Sequence, residues 1–396
     1  MLKKATKRGR RHGVSENEIE ENNSDKLSDL PDCILLYILS FLAAKSAVQT
    51  CMLSTRWKNL WKQLPGLILH PQDNFSTYKK FTKFLSRLLT LRDGSAALHE
   101  LRFWRGRPIQ TQLLKRMVKY VVSHNIQKLH LFVLCDIQDF PRCIFSSQTL
   151  TSLQLGVHSK GFTSEKMSLP KSLNLPALTG LYLENFSFSG NDIDRRRVEP
   201  FSALIKLNTL MIHNCTLSDD ANILCISSKS LCHLTVIEYS MVLYQIELSS
   251  PSLRAFAFEG IPSMPHIGSN LSSIEQVNIN AAIWSVNQGI FQSEKWGTFH
   301  SASFAIFSWL LKLSNIKSLT ITTSTLQVLS LFPLLSEVKP PILNTLESLK
   351  IIQVQFSYGL PTTLRGESGL IPIPDGIVDF LLRNSPSAKV DIIPPR

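Results

Sequence analysis

The organisation of this chain follows from an apolar stretch near its N-terminus, Lys26-Leu-Ser-Asp-Leu-Pro-Asp-Cys-Ile-Leu-Leu-Tyr-Ile-Leu-Ser-Phe-Leu42. Ser28 and Asp29 carry side-chain oxygens that can cap the free N–H groups at the start of a helix. Pro31 suits the first turn of that helix, where its missing N–H costs nothing. The isoleucines and leucines that follow recur at helical spacing, which predicts a helix with one apolar stripe.

Two more short helices are predicted directly after the first, over Lys45–Met52 and over Ser54–Trp61, with Ser54 as a cap. Three helices in under about fifty residues enclose little core, and units of this size are marginally stable alone. We therefore expect the apolar stripe of the first helix to need a partner.

The same region resembles the F-box of plant proteins that also carry leucine-rich repeats. Three motifs support the resemblance and occur in order, namely Leu30-Pro31, Ile38-Leu39-Ser40-Phe41-Leu42 and Leu53-Ser54-Thr55-Arg56-Trp57. One departure is Ala43-Ala44-Lys45-Ser46, where the family usually has Pro-Thr-Lys-Asp, a change that weakens a turn and a helix cap. The alternative interpretation is an ordinary three-helix cap on a repeat array.

The resemblance implies a partner and a role. In this family the F-box docks on the Skp-type adaptor of a cullin–RING (SCF-type) ubiquitin ligase, and the F-box subunit supplies no catalytic residue. On this basis we predict a non-catalytic substrate receptor; the alternative is an interaction scaffold without ligase activity. Some of the apolar side chains must instead hold the helices together, and the sequence does not sort them. The residues expected on the adaptor side are Leu30, Pro31, Ile34, Leu35, Ile38, Leu39 and Trp57.

From residue 98 onward the chain repeats one pattern, an apolar residue followed by two others at positions i+3 and i+5. Successive starts are 21–30 residues apart except for one interval of 42, and a period of about 20–29 residues is typical of leucine-rich repeats. The unit that begins at Leu207 also places Cys215 where such repeats use Asn or Cys to bond the turning backbone. The ten units begin at residues 98, 126, 150, 178, 207, 231, 253, 274, 316 and 346.

Each repeat has one short strand whose apolar face no unit can bury alone, so the units are expected to stack into a solenoid. The predicted fold class is α + α/β, a three-helix F-box followed by a leucine-rich-repeat solenoid with a parallel sheet on its concave face. The predicted divisions are a disordered basic and acidic tail at 1–24, the F-box at 25–70, a connecting helix at 71–97, repeats at 98–360 with an irregular part at 281–315, and a C-terminal cap at 361–396. Within the irregular part we predict an amphipathic helix, and within the cap a helix over 376–383 and a strand over 389–393.

Polar and aromatic residues between the inward positions of the repeats are expected on the concave face. Aromatic and arginine side chains dominate protein–protein contacts, so this strip is the predicted site for a target protein, although any one of its residues can equally be a merely solvated side chain. The candidates are Arg102, Trp104, His130, Phe132, Tyr182, Glu184, His213 and Glu259.

Charge and cysteine content limit the compartment, the cofactors and the partners that we expect for this chain. The formal net charge is +12, and residues 1–12 alone carry six lysines and arginines, which resembles a nuclear-localisation patch or, equally, a solubilising tail. Seven cysteines without zinc spacing favour a reduced intracellular chain, and no signal peptide or membrane-spanning run is predicted. Basic clusters such as Arg195-Arg196-Arg197 occur without a nucleic-acid fold motif. We therefore expect a nuclear or cytoplasmic protein with no cofactor, metal or catalytic set, and we do not expect nucleic acid as a partner.

Overall fold

The computed structural model describes Leu27 and residues 29–69, 75, 77–160, 165–190, 196–218, 220–239, 244–262, 273–281, 294–313, 315–332, 335, 337–355 and 369–395. The predicted tail at 1–24 and the capping residue Ser28 lie outside these residues.

Helices flank a series of short strands along the described chain. The α-helices are α1 (Asp32–Ser40), α2 (Ala44–Gln49), α3 (Trp57–Leu60), α4 (Tyr78–Leu91), α5 (Thr111–Ser123), α6 (Glu294–Lys312), α7 (Thr323–Ser330) and α8 (Ile377–Leu382). Short 3-10 helices lie at Thr50–Met52, Trp61–Gln63, Ile137–Asp139 and Arg142–Ser146. The strands are β1 (Gly66–Leu69), β2 (Glu100–Pro108), β3 (Lys128–Cys135), β4 (Ser152–Ser159), β5 (Met167–Ser168), β6 (Gly180–Glu184), β7 (Phe186–Phe188), β8 (Arg197–Val198), β9 (Thr209–His213), β10 (Thr216–Leu217), β11 (Ile223–Ile226), β12 (His233–Glu238), β13 (Gln245–Leu248), β14 (Ala255–Gly260), β15 (Gln276–Ala281), β16 (Ser318–Thr322), β17 (Ser348–Ile352) and β18 (Lys389–Ile393).

The N-terminal region differs in detail from the three helices predicted for it. The count of three is wrong, because 3-10 helices extend α2 and α3 and give five helical segments between Asp32 and Gln63. The N-cap of α1 is Pro31, with no side-chain cap, and α3 begins at Trp57, so Asp29 and Ser54 do not cap these helices. The start of α1 is instead held by Arg56, whose Nη2 donates to the backbone oxygen of Leu30 and, at 2.7 Å, to the Asp32 carboxylate.

Twelve parallel strands form the large sheet in the described residues, in the order β1-β2-β3-β4-β6-β9-β12-β14-β15-β16-β17-β18. Each of the ten predicted repeat units contributes one of these strands, and each strand begins two residues after the first apolar position of its unit. The predicted helices around residues 304–311 and 376–383 and the strand over 389–393 are also present, as α6, α8 and β18. The helices α5 and α7, and two three-stranded sheets (β10-β7-β5 and β13-β11-β8), were not predicted.

The strands are in register, so equivalent apolar residues form continuous rows across the sheet. One such row runs from Leu101 through Leu129, Leu153 and Leu181 to Leu210, each at most 4% exposed. Burial of one such side chain contributes roughly 1.5–3 kcal/mol, an upper figure because the unfolded chain also buries some surface. Helices α4 and α5 belong to the same core at one end of the sheet, as α6 and α7 do at the other. The alternate side chains of each strand therefore form the opposite face of the sheet, which we call the outer sheet face.

The N-terminal helical region is joined to the sheet rather than tethered beside it. Strand β1, which directly follows that region, pairs with β2 as the first strand of the large sheet. Arg92 is only 5% exposed, and its Nη2 donates to the carbonyl oxygens of Leu64 and Ala97, both at 2.8 Å. Its Nη1 donates to the Ala96 carbonyl oxygen at 2.9 Å. One guanidinium thus connects the end of the helical region to the start of the repeats.

We expect Arg92→Met to lower the free energy of unfolding by about 2–4 kcal/mol, because the buried contact to the Leu64 carbonyl oxygen and the part-buried contacts to those of Ala96 and Ala97 lose their charged donor. Urea denaturation followed by circular dichroism measures this change. The matched control is Arg87→Met, at an exposed position of the neighbouring helix α4. Equal stability of the two variants would contradict a structural role for Arg92.

Candidate functional site

Helix α1 carries two apolar stripes where the sequence predicts one. Leu35 and Leu39 lie in the core, at 0% and 1% exposed, and Trp57 of α3 is 6% exposed. The expectation that these three residues lie on the adaptor side is therefore corrected, since their side chains are used to hold the helices together. Ile34 and Ile38 remain exposed at 42% and 37%. Pro31 is exposed and Leu30 is half-buried.

The exposed stripe of α1 is longer than its two isoleucines. On an α-helix, residues at i, i+3, i+4, i+7 and i+8 share one side. The rings of Tyr37 and Phe41 meet edge to face with centroids 4.9 Å apart. An exposed apolar surface of this kind marks an interaction site more often than a scattered set of apolar residues does. We call the following residues the α1 stripe: Ile34, Tyr37 and Ile38 of α1, with Phe41 and Leu42 directly after its end, all exposed.

The eight residues predicted to contact a target protein lie on the sheet face opposite the core. Register places Arg102, His130 and Tyr182 in one row across the sheet, through the intervening Gln154. The next row contains the other five, Trp104, Phe132, Glu184, His213 and Glu259. The structure thus brings all eight onto adjacent rows of one surface.

Aromatic rings form a continuous series across this face, which we call the aromatic strip: Trp104, Phe132, Tyr182, His213 and Tyr239. Successive ring centroids are 6.1, 5.6, 6.4 and 6.3 Å apart. The series crosses β4 at Gly156, where a Cβ atom would lie 2.4 Å from the Phe132 ring. A glycine is needed at this point because any side chain would displace that ring.

A carboxylate network lies in the middle of the strip. Tyr182 donates its O–H to Glu184 at 2.9 Å, and His213 Nδ1 lies 2.9 Å from the same Tyr182 oxygen. His158 Nε2 approaches the other carboxylate oxygen of Glu184 at 3.4 Å. Burial by itself raises the pKa of the Glu184 carboxyl, but the hydrogen bonds from its two histidines and from Tyr182 outweigh burial and hold this pKa well below its ordinary range. Glu184 is therefore ionised at neutral pH.

A second tyrosine–carboxylate pair lies further along the sheet. Tyr239 donates its O–H to Glu259, and burial together with this hydrogen bond raises the pKa of the Tyr239 hydroxyl. Tyr239 and His158 were not predicted from the sequence, since Tyr239 follows the end of its strand and His158 lies beyond the repeat pattern of β4. In the sequence, these two residues differ from their neighbours only in being a polar and an aromatic residue that follow an outward-facing position.

The basic residues near the first repeats are largely engaged within the chain. Arg102 Nε donates to Glu100 at 2.6 Å, and Lys115 donates to Asp139 at 2.9 Å. Arg105 lies over the rings of Tyr78 and Phe81, 5.2 and 4.1 Å from their centroids.

Cys215 donates weakly to the carbonyl oxygens of Leu183 and His213, both at 3.5 Å, in keeping with the backbone role predicted for it. Next to it, Asn214 adopts a left-handed conformation with φ 49°, as the turn after β9 requires. Across the described ranges, no group of three His, Cys, Asp or Glu side chains is arranged to hold a metal ion. None of the helices described is both long and apolar enough to cross a membrane.

The chain is similar to known proteins over most of its length. A family model described as the F-box domain matches residues 27–69. F-box/FBD/LRR-repeat protein At1g78750 of Arabidopsis thaliana is 26% identical over 363 residues, which cover 86% of this chain and 74% of that protein. F-box/LRR-repeat protein At4g14096 of the same plant is 25% identical over 77% of this chain and 64% of its own length. Putative FBD-associated F-box protein At5g44940 is 32% identical over 42% of this chain and 44% of its own length.

The N-terminal helical region is therefore similar to the F-box domain. The similarity to F-box/leucine-rich-repeat proteins of this plant extends over most of the chain, 86% and 77% of its length for the first two relatives. For two of the three relatives the match spans less than two thirds of their length.

The network around Glu184 predicts how stability depends on pH. A carboxyl whose pKa is lower in the folded than in the unfolded state stabilises the fold fully above its unfolded pKa, about 4.3, and loses this contribution as the pH falls through the folded pKa. We expect the free energy of unfolding of the wild type to fall more steeply below about pH 4.3 than that of Glu184→Gln.

Urea midpoints measured between about pH 7 and pH 3 test this slope. Glu275→Gln is the control, because Glu275 forms an exposed ion pair with Lys317. If the wild type and Glu184→Gln lose stability in parallel, the network does not depress this pKa.

Proposed function

We propose that this protein is the substrate-recognition subunit of an SCF-type ubiquitin ligase. The F-box binds a Skp-type adaptor and through it a cullin, and the outer sheet face binds the target protein. The observation that carries the proposal is the exposed α1 stripe on a domain whose core is already filled by Leu35, Leu39 and Trp57. An apolar stripe that the fold does not need is explained by a partner.

On the adaptor side, the contacts proposed are Leu30, Pro31, Ile34 and Ile38, together with the rest of the α1 stripe. Leu35, Leu39 and Trp57 support this surface because their buried side chains pack beneath it. Full burial of an isoleucine against the adaptor contributes roughly 1.5–3 kcal/mol. The partly exposed Ile34 and Ile38 have less area left to bury, so their individual contributions lie towards the lower end.

On the target side, we propose that residues 98–360 form a leucine-rich-repeat solenoid whose concave face is the outer sheet face. The regular strand spacing and the in-register rows support this proposal. The F-box at 25–70, the connecting helix at 71–97 and the cap at 361–396 complete the proposed organisation. The proposed target contacts are the eight residues of the two rows, and the proposed compartments are the nucleus and the cytoplasm.

The proposed role requires no catalytic group on this chain. A receptor of this kind accelerates ubiquitin transfer by holding the target near the charged conjugating enzyme, which raises its effective concentration. The shared strand pairing of β1 with β2 and the hydrogen bonds of Arg92 support this role, since they fix the adaptor-binding region relative to the sheet.

The second candidate is a leucine-rich-repeat scaffold without ligase activity. Its support is Ala43, which is the N-cap of α2 and provides no side-chain cap. An alanine at an N-cap costs about 1 kcal/mol relative to Ser, Thr or Asp. That amount weakens one helix of the adaptor-binding region without removing the α1 stripe.

A pull-down with a purified plant Skp-type adaptor tests the proposal. We expect the wild type to bind and Ile34→Ser/Ile38→Ser to lose affinity by at least about tenfold, because two apolar contacts are removed from an exposed surface. Ile205→Ser is the matched control, since Ile205 is 72% exposed in a loop of the repeat region.

Leu35→Ala serves as a second comparison. It is expected to lower the free energy of unfolding by about 2–5 kcal/mol, whereas the double serine variant keeps its thermal melting temperature. A folded wild type that fails to bind any Skp-type adaptor would overturn the ligase proposal and leave the scaffold.

A further inference from the structure

The middle of the outer sheet face has a charge opposite to that of the whole protein. The formal net charge of the chain is +12. The strands β4, β6, β9, β12, β14 and β15, all within the described residues, contain no lysine or arginine. On the outer face of these strands the carboxylates are Glu184 and Glu259. This part of the surface is therefore suited to a cation.

The two carboxylates are presented in the same way. Each accepts an O–H from a tyrosine, Glu184 from Tyr182 and Glu259 from Tyr239. The His213 ring lies between the two tyrosine rings, 6.4 Å from one and 6.3 Å from the other. Aromatic faces attract lysine and arginine side chains, and carboxylates form their strongest hydrogen bonds with guanidinium and ammonium groups. The surface thus has two tyrosine–carboxylate subsites joined by aromatic rings.

The distance between the two subsites is set by the sheet. Register aligns Glu184 with His213, His213 with Ile237, and Ile237 with Glu259. Three spacings of about 4.8 Å separate the backbones of Glu184 and Glu259 by roughly 14 Å. An extended peptide advances about 3.4 Å per residue with alternate side chains on one side. Its residues i and i+4 therefore face the same way at about the same separation.

We propose that the outer sheet face binds an extended segment of the target protein with basic residues at positions i and i+4, one on each tyrosine–carboxylate subsite. The inference rests on the proposed function, because it names the chemistry of the segment that the receptor recognises. The register of the sheet sets the spacing of the two cations, and the aromatic strip supplies the apolar contact between them.

The test measures binding of dye-labelled peptides to the full chain by fluorescence anisotropy at low ionic strength. The probe Gly-Ser-Arg-Ser-Gly-Ser-Arg-Ser-Gly has arginines four residues apart. An isomer of identical composition, Gly-Ser-Ser-Arg-Arg-Ser-Gly-Ser-Gly, has them adjacent, and a third peptide replaces both arginines of the probe by glutamate. We expect the probe to bind about tenfold more tightly than the isomer, since the isomer fills one subsite, and the glutamate peptide not to bind.

Two variants assign the subsites. Glu184→Gln and Glu259→Gln are each expected to weaken probe binding by about tenfold, while Glu275→Gln, whose carboxylate is already paired with Lys317, leaves it unchanged. If Glu184→Gln unfolds the chain because the network around Glu184 is lost, Glu259→Gln still tests the proposal by itself. Equal binding of probe and isomer, or probe binding that survives both variants, would overturn the inference.

Residues 1–12 of the chain also contain basic pairs four apart, such as Lys3 with Lys7 and Lys4 with Arg8. A synthetic peptide of these residues is therefore included, and tighter binding of this peptide than of the probe would replace the target by the chain's own arm and overturn the proposal. Adaptor binding of the same glutamine variants is measured in parallel and is expected to be retained. A wild type that binds the adaptor but not the probe defeats this inference alone, whereas failure of the wild type to bind the adaptor defeats the proposed function.

Discussion

The structure depends on the in-register stacking of one apolar pattern. Each unit places two apolar residues on the inner side of a short strand and a third just before it, and the parallel pairing of neighbours lines up equivalent residues, as it does Leu153 and Leu181. Because side chains alternate along a strand, the same pairing fixes the rows of the outer face. The contacts between Tyr182, Glu184 and His213 are therefore a consequence of how the core packs. A slip of one residue between β6 and β9 would bury Tyr182 and separate it from His213.

The second constraint is the junction between the helical region and the sheet. A flexible linker would leave the two proposed interaction surfaces free to reorient, and the gain in effective concentration falls as the allowed orientations increase. In this chain the junction is a strand of the sheet itself, and Arg92 is buried across it. A buried guanidinium is costly unless its donors are satisfied. Its bonds to Leu64, Ala96 and Ala97 engage both terminal nitrogens and tie the two parts together, whereas the buried Nε has no partner among the described residues.

Much of this architecture could be predicted from the sequence, because the repeat pattern is periodic and local. Each of the ten units contains the one strand predicted for it, and the outward candidates lie on two adjacent rows. The division of the α1 apolar residues could not be predicted, since Ile34 and Leu35 are chemically alike and only packing against α3 separates them. Arg92 and Gly156 were missed because their roles depend on neighbours distant in sequence. The short sheets containing β7 and β11 were missed because two to four residues carry too little periodicity.

The separation of roles between the two sheet faces has a consequence for recognition. Substitutions at inner positions such as Leu183 change the packing of adjacent units, so they alter stability before they alter binding. Outer positions such as Glu184 and Glu259 project from the same strands without contributing to the apolar rows. Single substitutions at outer positions can therefore change the proposed target contacts while the packing of the strands stays the same. The network around Glu184 is the exception, because its carboxylate is tied to Tyr182, His158 and His213 and its replacement disturbs three neighbours at once. Glu259, bonded to Tyr239 alone among the contacts described, is the position at which specificity can change at the lowest cost to the fold.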